Sequence, residues 1–141
     1  MSNKVRVEGD RLIIEAGGQI IVRDGGIILA EPGAIVEILN RIEAFDGTTF
    51  TLSPREQCVR TTSSSPVSIV VPPYSAVPFP PGTSRKVIQG GTGQVTFVAG
   101  DGVTILSSET LKIAKRNAAA VITATDLQDT WQLIGYLEKA T

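Results

Sequence analysis

The side chains of this 141-residue chain that could do chemistry are one thiol, Cys58, and fourteen carboxylates, with no histidine anywhere. The missing imidazole excludes Ser-His-Asp and Cys-His catalysis in their usual forms, two-His zinc sites and any histidine pH switch. A single cysteine excludes an intrachain disulfide, and the expected role of Cys58 is that of a small buried apolar residue. Hydrolysis would need paired carboxylates or an oxygen-only metal site. The candidates Asp10, Asp24, Asp46, Asp101 and Asp126 each lie in or beside glycine-rich or turn-prone stretches, where aspartate shapes turns through its own side chain. No EF-hand spacing and no Gly-x-x-x-x-Gly-Lys-Ser/Thr loop occurs. Gly90-Gly91-Thr92-Gly93 has the composition of a phosphate cradle, but an alternating strand pattern, Gln94-Val-Thr-Phe-Val98, follows it. The helix N-terminus that would hold the phosphate is missing. No catalytic residue, metal site or cofactor is expected.

The elements that must position everything else begin with four octapeptides. Gly9-Asp10, Gly17-Gly18, Gly25-Gly26 and Gly33-Ala34 each introduce a β-favouring run, such as Leu12-Ile13-Ile14, Ile20-Ile21-Val22 and Ile27-Ile28-Leu29-Ala30. Successive strand side chains point to opposite faces, so contiguous apolar residues leave both faces apolar at mid-strand. Four strands of about six residues cannot cover both faces alone. Ile20, Ile21, Ile28 and Leu29 are therefore expected to be buried between subunits or under an adjoining domain. Glycine turns would give an antiparallel meander. Stacking at i and i+8 would instead align Glu15, Arg23 and Glu31 in one column. Both paths, and an ordinary meander at the edge of one domain, are open from the pattern alone.

Bulk properties bound the partners. Thirteen basic against fourteen acidic residues leave a net charge of −1, without a basic footprint for nucleic acid or a polybasic stretch for an anionic membrane. No apolar run approaches the roughly 18 residues of a membrane span, and the N-terminus has no apolar signal core. Assembly in a cytoplasm is expected, with residues 1–8 ordered alone or only on a partner.

Composition changes past residue 42, which suggests a β-repeat segment for assembly or attachment at 1–43 and a β module at 44–141. Within the module, Phe45-Asp46-Gly47 reads as a turn into a short strand that Ser53-Pro54 ends, and Val67-Ser-Ile-Val-Val71 as a strand bounded by prolines. The stretch from Tyr74 to Gly82 reads as an extended edge or a polyproline-like connection, either a linker between domains or a rigid crossing between two sheets, and its interleaved Tyr74, Val77 and Phe79 favour packing over free flexibility. Residues 85–89 suggest a strand, and residues 94–106 alternate around Gly100-Asp101-Gly102 as a β-hairpin. Residues 107–120 have helix propensity, yet Leu111, Ile113 and Lys115 alternate with strand period. Strands are expected at 120–125 and 130–137 around a turn at 126–129. Phe97, Trp131 and Leu133 are the expected core anchors.

These residues carry a resemblance. Val77-Pro-Phe-Pro-Pro-Gly82, Gly91-Thr-Gly-Gln-Val-Thr-Phe-Val-Ala-Gly-Asp-Gly-Val-Thr-Ile105, Ala119-Ala-Val-Ile-Thr-Ala-Thr-Asp126 and Trp131-Gln-Leu-Ile-Gly-Tyr-Leu137 occur in an order that resembles a β module of tailed-bacteriophage structural proteins. Head fibres, capsid decoration proteins and tail-fibre tips carry such modules. The resemblance covers about residues 66–138 and implies strand rather than helix at 108–116, a homotrimer, a virion location and no catalytic residues. The expected fold is all-β: an antiparallel β-sandwich or barrel, jelly-roll-like, with a glycine-punctuated N-terminal segment of octapeptide repeats. The chain is too short for a tail-attachment region plus a long shaft. It suits a capsid decoration, or cement, protein whose partners are itself and the major capsid protein. The alternative is a small fibre tip that binds a host glycan or receptor. A depolymerase reading finds no paired-carboxylate cleft to support it.

Overall fold

The computed structural model describes residues 5–24, 26, 32–33 and 41–141. The chain divides into two compact units, Met1–Ile38 and Leu39–Thr141. The division falls a few residues before the expected 43/44 boundary.

In the first unit β1 (Val5–Glu8) and β2 (Arg11–Ile14) form an antiparallel hairpin. Gly9 takes the positive φ of 64° that the tight turn demands and that a β-carbon would oppose. Arg6 pairs with Glu8 and Glu15 along its surface. Residues 19–23 of the second octad, expected to be a strand, lie outside any strand. No described residue of this unit is buried, and Val7, Leu12, Ile20 and Ile21 are 74, 62, 64 and 68% exposed. Ile28 and Leu29 lie outside the described residues.

The second unit follows a different path from the expected antiparallel, jelly-roll-like sandwich. Its strands are β3 (Ile42–Phe45), β4 (Thr49–Thr51), β5 (Cys58–Thr61), β6 (Val67–Val71), β7 (Ser84–Gln89), β8 (Val95–Ala99), β9 (Thr104–Leu106), β10 (Ala119–Ala124) and β11 (Thr130–Gly135). One sheet has the order β3-β5-β7-β10-β11-β9 and the other β4-β6-β8. The chain therefore alternates between sheets three times, and each pass lays its strands parallel to those of the last. The result is a short stack of parallel coils, a solenoid in which each coil contacts its neighbours. Five of the eight strand pairings described are parallel, which corrects the antiparallel expectation. Alternation along a strand reports only that one face is buried, and it is the same for a parallel or an antiparallel neighbour. The all-β character and the layered sheets stand as expected.

The expected hairpin at 94–106 is corrected for the same reason. β8 pairs with β6 in one sheet and β9 with β11 in the other. Gly100 donates to the Val71 carbonyl at 2.9 Å, and the chain then crosses between layers through Gly102, whose φ is 75°. One core fills the space between the sheets, with Val59, Val87, Ile122 and Leu133 from one and Val67, Ile69, Val95 and Phe97 from the other. Phe97, Trp131 and Leu133 are all buried.

The coil corners at 46–48, 62–66 and 90–94 stack on one another. Thr62 N–H donates to Phe45 O at 2.9 Å, Gly93 N–H to Ser63 O at 3.0 Å, and Val67 N–H to Gln94 O at 2.9 Å. Gln89 locks the last corner from inside: its amide accepts from Val95 N–H at 3.0 Å and donates to Gly91 O at 3.4 Å. A second buried polar clamp closes the loop after β4. There the Glu56 carboxylate accepts from the Ser53 backbone N–H and hydroxyl, at 2.9 and 2.6 Å, while the Arg85 guanidinium donates to Ser53 O at 3.2 Å. Burial pushes the Arg85 guanidinium down, and nearby Glu56 opposes that shift.

At the far end of the stack β10 lies antiparallel to β7, and β11 antiparallel to β10. Residues 107–118 form no helix; they contribute isolated bridges from Lys112 to Thr96 and from Ile113 to Leu137. Phe97 N–H donates to Leu111 O and Ile113 N–H to Val95 O. Neither the helix of residue propensity nor the strand expected over 108–116 forms, yet Leu111 and Ile113 are both drawn to the core beside β8, as their alternation anticipates. Glu109 fastens the C-terminus by accepting from Ala140 N–H at 2.8 Å and from the Lys139 ammonium at 3.2 Å. These bonds, the backbone one first, hold its carboxyl below the usual range. A depressed folded-state pKa supplies a tether present above the unfolded value near 4.3 and lost as pH falls through the folded value. The expected result is that the Ala140 amide keeps its protection as pH falls past the ordinary glutamate value and loses it only at lower pH, as read by amide exchange. Protection unchanged at pH 2 would show that Glu109 does not hold the terminus.

Candidate functional site

A recess of the second unit, about 250 Å³, forms where the proline-rich crossing meets the β10–β11 turn. Pro72 and Pro73 end β6 because proline has no N–H to extend the ladder. The chain then turns at 73–77, with Ala76 and Val77 N–H both donating to Pro73 O. On the opposite wall, residues 126–129 make a turn in which Thr130 N–H donates to Leu127 O at 3.1 Å and the Thr125 hydroxyl to Thr130 O at 2.8 Å. Asp129 takes a φ of 55°, a left-handed conformation that aspartate tolerates better than most residues. That turn aims its carboxylate across the recess, where one oxygen accepts from Tyr74 N–H at 2.7 Å.

The floor is aromatic. Phe79 and Trp131 meet edge to face, with ring centroids 5.6 Å apart and planes at 90°. The guanidinium carbon of Arg85 lies 5.1 Å from the centroid of the Phe79 ring. Tyr74 and Leu127 stand exposed at the rim. Asp126 and Asp129 line the recess and no lysine or arginine does. Asp126 makes no hydrogen bond or ion pair among the described residues.

The other aspartates are scattered as turn residues: Asp10 between β1 and β2, Asp46 at a coil corner, and Asp101 at the crossing between layers. Among the described residues no group of three His, Cys, Asp or Glu side chains converges as a metal site would require. Gly90, Gly91 and Gly93 press against the backbone of the preceding corner, which gives them a packing role in place of a phosphate one. Sequence reasoning did not find the recess. Tyr74 and Asp129 lie fifty-five positions apart, and no local pattern announces their contact.

Cys58 is buried beside Lys86, and burial, the larger influence, pushes its thiol up. A buried thiol held in its protonated form is a poor nucleophile. Cys58 is thus expected to resist a thiol-labelling reagent at pH 8 in the folded protein and to react fully in urea. Rapid native labelling would contradict its packing. No protein-family model matches the chain, and no curated protein matches it.

Proposed function

We propose that the protein is a trimeric capsid decoration protein of a tailed bacteriophage, which binds the outer capsid surface through the major capsid protein and stabilises the shell. The supporting observation is the contrast between the two units. The second closes around its own core, whereas the first presents Val7, Leu12, Ile20 and Ile21 to solvent with no buried residue among those described. Exposed apolar side chains in a small unit without a buried residue among those described support an association role for it.

The octads are the assembly element in this reading. The β3 and β5 partners Ile42 and Cys58 lie sixteen residues apart, the length of two octads. In the assembled trimer other copies cover the apolar faces that the octads leave open. A trimer that binds only the assembled shell stabilises that shell by mass action.

Light-scattering mass on the full chain is the first test, with a trimer expected; a monomer would sink the proposal. Density for the protein confined to the tail of imaged virions would favour the fibre-tip reading. That second reading draws on the exposed Tyr74 beside the recess.

A further inference from the structure

We propose that the recess between residues 72–81 and the 126–129 turn receives the guanidinium of an arginine side chain presented by a partner protein. The argument is one of charge, shape and ring chemistry. Two carboxylates line the recess and no cation does, so the cavity attracts positive charge. Asp129 spends one oxygen on Tyr74 N–H and keeps the other, and Asp126 has no partner among the described residues. Two carboxylates beside one opening suit a planar fork with five N–H donors better than a compact ammonium.

The exposed Tyr74 ring at the rim supplies surface over which a weakly hydrated guanidinium stacks favourably, and Trp131 lines the same recess. The molecule already seats one guanidinium in this way, that of Arg85 over Phe79. A volume of about 250 Å³ is below the usual range of small-molecule sites and matches one side-chain head with a few waters. Arginine inserted in an aromatic pocket is a common anchor of protein interfaces. The inference names a contact for the proposed capsid partner and rests on that reading only for the partner's identity.

The test titrates the full-length protein with the peptide acetyl-Gly-Arg-Gly-amide and follows the indole N–H resonance of Trp131, the chain's one tryptophan. The citrulline peptide, of the same shape and without charge, is the control. A saturable shift with the arginine peptide, absent with citrulline, is expected, and it should fade near 1 M salt, where screening acts within about 3 Å. Asp126→Asn and Asp129→Asn should each weaken binding roughly tenfold, the usual difference between a charge-assisted and a neutral hydrogen bond. Asparagine keeps both the left-handed turn and the acceptor for Tyr74 N–H, so the native Trp131 spectrum should persist. Equal binding of citrulline, or binding unaffected by both substitutions, would overturn the proposal. A galactose titration that moves Trp131 when the arginine peptide does not would overturn it in favour of a glycan site. A monomeric mass would sink the trimer yet leave this titration readable, so the two ideas fail separately.

Discussion

Gly93→Ala should cost the second unit about 3 kcal/mol or more, enough to leave much of the protein unfolded or insoluble. A β-carbon at Gly93 would run into the Ser65 carbonyl oxygen, with the Ser65 carbonyl carbon 2.5 Å and the Ser63 oxygen 3.0 Å away. All three are backbone atoms of the preceding coil, so relief requires prising one corner from the next. The same movement breaks the Gly93 N–H bond to Ser63 O. Gly102→Ala is the comparison. It stands at a positive φ of 75° with open space around it, so only the backbone penalty of about 1–2 kcal/mol applies. Urea unfolding followed by Trp131 fluorescence separates the two, and equal midpoints would mean that the corners do not stack as described.

Phe97→Ala is the second large effect, with an expected loss of about 3–5 kcal/mol. Phe97 is fully buried and lies in register with Ile69, which in turn lies in register with Phe50, so one row of side chains crosses β8, β6 and β4. Deleting the ring opens a cavity in the middle layer, where neither sheet can collapse without shifting the ladder. With domain stability of only about 5–15 kcal/mol, that loss is a large fraction of the whole. Ile134→Ala, on an exposed position of β11, should stay within about 0.5 kcal/mol in the same experiment. A Phe97→Ala midpoint close to that of Ile134→Ala would refute the placement of the core.

Much of this layout was legible in the residues, for identifiable reasons. β6 to β8, β10 and β11 announce themselves through β-branched runs or alternation, and Cys58 through its apolar character. β5 escaped because its row of partners is unusual: Phe45, Thr61 and Gln89 lie in register across β3, β5 and β7, with two polar residues buried among them. A buried threonine or glutamine disrupts the apolar period while still occupying the inner face, since both carry hydrogen bonds there. Parallel pairing was hidden more deeply, because the information that separates a hairpin from a crossing lies in partners far along the chain. The glycines at 90, 91 and 93 were visible, but their meaning depends on the carbonyls of residues 61, 63 and 65 lying against them. The recess was invisible for the same reason.

The parallel stack also sets the order in which the second unit can form. Every coil pairing joins strands with a strand of the other sheet between them, so no coil can nucleate from neighbouring residues. β10 and β11 are the exception, being adjacent in sequence, antiparallel and joined by a tight turn. Non-local pairings pay their loop-closure entropy before any contact rewards it, so the local hairpin is the natural nucleus. Folding of the second unit is therefore expected to start at the β10–β11 hairpin and to spread from there back towards β3.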